Sequence, residues 1–135
     1  MLRLVVERIA TAAGVSVATF EVAKLLHYEP GQYFAPHCDF QAPTTPALAQ
    51  EVARRGQRIA TALVYLNDDY TGGETEFPRI GLRHRAAAGD ALLLWNVHPS
   101  GELDYDTLHA GAAPTQGVKW VLSQWIRDRP VAGSA

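Results

Sequence analysis

The chain is written as short apolar runs, rich in β-branched and aromatic residues, each closed by glycine, proline or aspartate. "VATFEVAKLLHY" (17–28) is followed by the turn "EPGQ", and "YFAPHCDF" follows as a second run interrupted by Pro36. "RIATALVYLND" (58–68) leads into the glycine turn "DYTGGETEFP" (69–78), which opens another run. "GD" (89–90) turns into "ALLLWNV" (91–97), "HPSGELDYDT" loops into "LHAGAAP", and "GVKWVLSQWIRD" (117–128) closes the pattern. Runs of this length bounded by turn residues are strands. Many strands with short connections predict a mainly β fold, a β-sandwich or jelly roll. Before them, Leu2, Val5, Val6, Ile9 and Ala13 recur at helical spacing, with Gly14 where a cap belongs, so one short N-terminal helix is expected. Residues 41–57, "QAPTTPALAQEVARRGQ", are polar with two early prolines and a short helical tendency; they read as a long mobile loop, the kind that serves as a lid.

At 135 residues the chain is expected to be a single domain, 1–135. Its 47% apolar and 19% charged residues are those of a globular protein rather than a disordered one. A net charge of −2 gives no footprint for nucleic acid. One cysteine forms no internal disulfide, which makes a reducing compartment the default. Arg3, Glu7 and Arg8 interrupt the first apolar run and spoil it as a signal-peptide core. No apolar stretch approaches the roughly 20 residues of a membrane span. The expectation is a cytoplasmic protein with neither nucleic acid nor membrane as partner.

Within "APHCDF", His37 and Asp39 stand two apart, so on a strand they share a face while Cys38 points away. Alone, that pair is as easily a hydrogen-bonded histidine beside a surface aspartate. His109, in "TLHAG", adds a second imidazole 72 residues downstream. Two histidines and one carboxylate on one side of an ion form the facial triad of non-haem Fe(II) oxygenases. A closed zinc site would take four protein ligands, often thiolates, and Cys38 reads as a small hydrophobe. Lys119 lies ten residues after His109 and is one of only two lysines, against ten arginines. Its neighbours are apolar, and a buried ammonium is costly without a counter-charge, which a dicarboxylic co-substrate would supply. The alternative is a lysine that snorkels to water from a strand end. By alternation Lys119, Val121, Ser123 and Trp125 share one face.

The run "LHYEPGQYFAPHCDF … QRIATALVYLNDDYTGGETEFP … GDALLLWN … TLHAGAAPTQGVKW … W", over residues 17–127, resembles the prolyl 4-hydroxylase branch of the Fe(II)/2-oxoglutarate dioxygenases. The resemblance implies a double-stranded β-helix, a jelly roll holding iron in its open mouth. It implies that His37, Asp39 and His109 bind Fe(II), and that Lys119 and the hydroxyl of Tyr28 hold the far carboxylate of 2-oxoglutarate. Thr75 of "GGET" falls where a threonine lines the same pocket. Arg58 and Trp125 match substrate-facing positions, and Phe34 sits where a tyrosine often stands near the substrate. Read without the resemblance, Tyr28, Thr75, Arg58 and Trp125 are ordinary strand and turn residues. His27, His84 and His98 match no ligand position.

The implied chemistry is oxygen-dependent hydroxylation of a C–H bond, most simply of a prolyl residue in a peptide or protein, with 2-oxoglutarate converted to succinate and CO2. O2 is the co-substrate and L-ascorbate a further reagent. A retained Asp39 favours hydroxylation over halogenation, because relatives that halogenate replace this carboxylate with a small residue. Free proline or another amino acid is the alternative substrate. A non-catalytic jelly-roll binding module and a cupin-like metal enzyme without 2-oxoglutarate are the rival readings. Residues 1–20 stand as a shortened N-terminal support, either a minimal version or part of a longer chain, and an uncovered sheet edge leaves monomer or homodimer open.

Overall fold

A computed structural model describes residues 1–133. The chain begins with α1 (Leu2–Ala13), which Gly14 ends in the left-handed conformation at φ 66°, its N–H reaching the carbonyls of Ala10 and Thr11. The strands are β1 (Lys24–Tyr28), β2 (Phe34–His37), β3 (Arg58–Tyr65), β4 (Thr71–Gly72), β5 (Thr75–Phe77), β6 (Leu82–His84), β7 (Ala91–Trp95), β8 (His109–Gly111), β9 (Pro114–Gln116) and β10 (Lys119–Arg127), with α2 (Pro46–Arg55) between β2 and β3. They form two four-stranded antiparallel sheets, β1-β10-β3-β7 and β2-β8-β5-β6, and the ribbon β4-β9. This is the mainly β jelly roll with one leading helix that the sequence predicts. Among the described residues no helix is long and apolar enough to cross a membrane.

Both faces of the central strands are used. From β3, Ala60, Ala62 and Val64 join Ile9, Ala10, Ala13, Phe20 and Ile126 in the core beneath α1. The two alanines are small enough to let the helix lie close on the sheet. The alternate residues Leu63 and Tyr65 join Val121, Phe77, Leu94 and Ala86 in a second cluster between the sheets. Period-2 alternation therefore gives β3 one face for holding the fold and another for facing the interior.

Two expectations are corrected. The run 17–28 is not one strand: Val17–Thr19 is a 3₁₀ turn, Phe20 makes an isolated bridge to Ile126, and only Lys24–Tyr28 pairs continuously with β10. The interruption lets Glu21 turn its carboxylate to Arg58 (2.7 and 3.2 Å) and Arg127 (2.7 Å). Residues 41–57, expected as a long loop with a short helical tendency, carry α2 over most of their length. Thr45 caps it by accepting from Leu48 N–H (3.2 Å), and Pro46 sits in the first turn, where its missing N–H costs nothing. The excursion is tied at its base by Gln57, which accepts from Gln41 N–H (2.7 Å) and donates to Gln41 O (2.8 Å).

The Glu21 cluster is the main polar fastener of this end. Arg127 is fully buried and also donates to Gly56 O, while Arg55 approaches Glu21 at 3.9 Å. Removing one partner of a buried pair leaves the other charge uncompensated. Glu21→Ala is therefore expected to cost about 3–5 kcal/mol of stability, measured by chemical denaturation, whereas trimming the exposed Arg3–Glu7 pair should cost under about 0.5 kcal/mol.

Candidate active site

The register between β2 and β8 sets His37 directly opposite His109. Their rings stand 4.4 Å apart, centroid to centroid. Asp39 lies in the bend just past the end of β2, so its approach comes from the turn and not from strict strand alternation. Its Oδ1 is 3.3 Å from His37 Nε2 and its Oδ2 is 3.6 Å from His109 Nε2. One ligand atom from each of the three lies within 4.8 Å of the others.

The hydrogen bonds around these groups fix which atoms face inward. His37 Nδ1 donates to Ala35 O (2.8 Å) and His109 Nδ1 donates to Thr107 O (2.8 Å). A carbonyl only accepts, so each ring carries a hydrogen on Nδ1 and turns Nε2 toward the common centre, where it shares a proton with Asp39 or, once that proton leaves, offers a lone pair to a metal. Burial lowers the His109 imidazole below its ordinary value, against the pull of Asp39. Burial acts the same way on His37, but its hydrogen bonds to Asp39 and Ala35 prevail and raise it. Burial would raise the Asp39 carboxyl; the hydrogen bond from His37, the charge of His109 and the hydrogen bond from Thr61 hold it below the usual range. Two imidazoles, neutral once a metal displaces the Nε2 proton, and an ionised carboxylate, with positions left open, fit Fe(II).

A further layer steers the carboxylate. Thr61 Oγ1 donates to Asp39 Oδ2 (2.7 Å) and accepts from Asn96 Nδ2 (3.0 Å), both residues being fully buried. Thr61→Val keeps the volume and removes that donor, so metal affinity is expected to fall about 10–100-fold, read by equilibrium dialysis against Fe(II) or Mn(II).

These ligands line a cavity of ≈ 160 Å³ enclosed by both sheets. At its inner end Lys119 is 2% exposed and donates to Gly73 O (2.6 Å). Its Nζ lies 5.5 Å from the Tyr28 ring centroid and 5.6 Å from that of Tyr65. Burial pulls the Lys119 ammonium down to about 8, with the charge of Glu74 opposing this only in part and that of Arg85 adding to it. Among the described residues no carboxylate forms an ion pair with it. Gly73 is required for the contact: at φ +68° a Cβ would meet the Tyr70 ring at 3.0 Å and Lys119 Cδ at 3.4 Å. A buried cation without an acidic partner, at the end of a largely apolar cavity, is a receptor for an anion.

The remaining expected residues divide. Tyr28 and Thr75 line the cavity beside Lys119, and burial raises the Tyr28 hydroxyl. Phe34 and Trp125 line its mouth, Phe34 being 43% exposed with its ring 4.1 Å from that of His37. Arg58 is not in the wall. Its guanidinium stacks 3.6 Å from the Trp125 ring centroid and is held by Glu21, so it meets the cavity only through that ring. Cys38 is not among the converging donors, and His27, His84 and His98 rest against Trp120, Tyr65 and Asp104. Sequence reading missed Tyr65, whose hydroxyl pairs with Thr75 Oγ1 at 2.6 Å. It also missed Thr61, Asn96, and Lys24 at the mouth. The alternation Thr61, Leu63, Tyr65 along β3 was the available signal for two of these.

Comparison with known proteins agrees with this geometry. Residues 23–127 match the family model described as the 2OG-Fe(II) oxygenase superfamily. The chain is 33% identical over 142 residues to "Prolyl 4-hydroxylase 1" of Arabidopsis thaliana, covering 96% of this chain and 48% of that protein. It is 38% identical over 122 residues to "Prolyl 4-hydroxylase subunit alpha-1" of Gallus gallus, covering 90% of this chain and 23% of that one. The chain thus spans less than half the length of these relatives. Among solved structures, a viral collagen prolyl hydroxylase from Paramecium Bursaria Chlorella virus-1, in a 2OG complex, superposes with a TM-score of 0.67 at 34% identity, covering 80% of this chain and 59% of that one. A prolyl-4-hydroxylase of Pseudomonas putida shares the fold, with a TM-score of 0.54 at 24% identity. The chain belongs to the 2OG-Fe(II) oxygenase superfamily, in its prolyl 4-hydroxylase branch.

Proposed function

We propose that this chain is an Fe(II)- and 2-oxoglutarate-dependent dioxygenase that hydroxylates a C–H bond of a prolyl residue in a peptide or protein. One observation carries the reading: His37, Asp39 and His109 converge in the same cavity that holds a buried, acid-free Lys119. In this reading the three ligands hold Fe(II) on one side, and Lys119 with the Tyr28 hydroxyl receives the far carboxylate of 2-oxoglutarate. Thr75, fixed by Tyr65, completes that end of the pocket. Bound there, Fe(II) would supply the oxidising chemistry with O2, one oxygen atom entering succinate as 2-oxoglutarate loses CO2 and the other going to the substrate C–H bond. The chain's own part is orientation and exclusion of water, for which Leu26, Leu63, Ala110 and Val121 give the cavity an apolar wall. Phe34 offers flat apolar surface to a prolyl ring at the mouth, beside the Trp125 indole on which Arg58 stacks.

The test is oxygen-dependent succinate release from a panel of prolyl peptides, free proline and other amino acids, with Fe(II), 2-oxoglutarate and ascorbate, the reductant the resemblance implies. Tandem mass spectrometry should place one added oxygen on a prolyl residue, with methionine oxidation excluded. Turnover only on free amino acids would move the substrate class. No turnover on any member of the panel would favour a non-catalytic binding module.

A further inference from the structure

The chain has two lysines, and both open onto the same cavity. In the antiparallel register of β1 with β10, Tyr28 faces Lys119, Leu26 faces Val121 and Lys24 faces Ser123. All six residues line the cavity, so two neighbouring strands make one wall with an ammonium at each end. Four steps of extended chain carry the strand from Lys24 to Tyr28, about 13 Å. Lys119 is buried at the inner end, and Lys24 is exposed at the outer end.

Lys24 is held rather than loose. Its Nζ lies 4.1 Å from the centroid of the Trp125 ring, the same ring on which Arg58 stacks. The nearby acid is taken, because Glu21 accepts from Arg58 and Arg127 and adjoins Arg55. Among the described residues Lys24 has no ion pair with a carboxylate. A ring contact uses one side of an ammonium and leaves its other N–H donors directed away from the ring. The apolar indole beside them strengthens any charge-assisted hydrogen bond they make.

We propose that Lys24 is a specificity-determining residue that selects substrates carrying a carboxylate near the target prolyl residue, either an acidic neighbour in the peptide or the target residue's own free C-terminus. This rests on the hydroxylase reading above, in which Lys119 is occupied by 2-oxoglutarate. The second ammonium is then the cation that meets the substrate itself.

The test is a calorimetric titration of the anaerobic protein, loaded with redox-inert Mn(II) and 2-oxoglutarate. Its probes are acetyl-alanyl-prolyl-alanyl amide, the same peptide with aspartate before or after proline, the same peptide with lysine in those places, and acetyl-alanyl-proline with a free carboxylate. At least one acidic probe should bind about tenfold tighter than the neutral one, and the arm that does so identifies the source of the carboxylate. Lys24→Gln should erase the difference, Lys24→Arg should keep it, and Lys24→Glu should transfer it to the lysine-bearing probe. A purely structural lysine would not produce that reversal. Acidic and neutral probes binding alike or not at all, or an acid preference that survives Lys24→Gln, overturns the proposal. Succinate release, measured separately, distinguishes the two layers. Turnover without acid preference removes the role of Lys24 alone, and acid preference without turnover removes the hydroxylase reading alone.

Discussion

Lys119→Met is expected to weaken 2-oxoglutarate binding by about 30-fold or more and to raise the melting temperature of the ligand-free protein. The two effects have one cause. Burial brings the Lys119 ammonium from 10.5 to about 8, so the fold disfavours the charge that an anion would use. That difference corresponds to roughly 3 kcal/mol of strain at neutral pH, part of which methionine would return by filling the same space without a charge. The carbonyl of Gly73 loses its donor, a cost of about 1–3 kcal/mol, so the net gain is small, on the order of 1 kcal/mol, and reads as a rise of a few degrees. Against it stands the loss of the one cation that lines the inner end of the cavity among the described residues. Truncating one partner of a buried charge pair costs about 2–5 kcal/mol, so the requirement for 2-oxoglutarate should rise by about 30-fold or more.

The pH dependence has a fixed sign. The folded-state value of Lys119 lies below the unfolded one, so between about 8 and 10.5 the unfolded chain holds a proton that the native chain does not. The contribution of this group to stability therefore rises with pH across that window, and Lys119→Met removes the rise. Affinity for 2-oxoglutarate moves the other way, falling as pH climbs above about 8 because the free protein loses the ammonium. A variant with an unchanged 2-oxoglutarate requirement would return Lys119 to a structural role and favour a metal enzyme of another kind.

His109→Ala is the second large effect. This imidazole is 5% exposed, lies between the rings of His37 and Phe77, and has its Nδ1–H committed to Thr107 O. Removing it takes away one of three ligand atoms and leaves Asp39 without one of the charges that lower its carboxyl. Affinity for Fe(II) or Mn(II) should fall by more than the roughly 100-fold attached to an outer partner such as Thr61, and turnover should be lost with it. His27→Ala and His84→Ala, at imidazoles packed against Trp120 and Tyr65, should leave metal affinity unchanged. If His109→Ala bound metal as the parent does, the convergence at Asp39 would be only a hydrogen-bonded cluster.

The parts of this site that could be read in advance are those in which residue type and local spacing suffice. Lys119, Val121, Ser123 and Trp125 share a strand face in the structure as alternation requires, and all four line the cavity. His37 and His109 were recognisable as ligand types, but their meeting depends on the β2–β8 register, which joins segments far apart in the chain. Asp39 reaches the same point from a bend rather than from the strand, so the right neighbour was inferred from geometry that holds only for His37. α2 was obscured because the polar composition and two early prolines of 41–57 suggest a loop, although Pro46 is at home in the first turn of a helix. The resemblance sets Arg58 at a substrate-facing position; the carboxylate of Glu21, which it shares with Arg127, is a tertiary partner that holds it against Trp125 and out of the cavity wall. Tyr65 and Lys24 were hidden for the same reason. A strand tyrosine and an exposed lysine acquire meaning only from what stands across from them.

The most direct measurement is anomalous diffraction from crystals grown anaerobically with Fe(II) and 2-oxoglutarate. One iron peak should lie about 2.0–2.2 Å from His37 Nε2, Asp39 and His109 Nε2, distances like those of other imidazole and carboxylate metal sites, with the far carboxylate of 2-oxoglutarate against Lys119 Nζ and the Tyr28 hydroxyl. An iron bound elsewhere, or a co-substrate carboxylate that leaves Lys119 bonded only to Gly73, would contradict it.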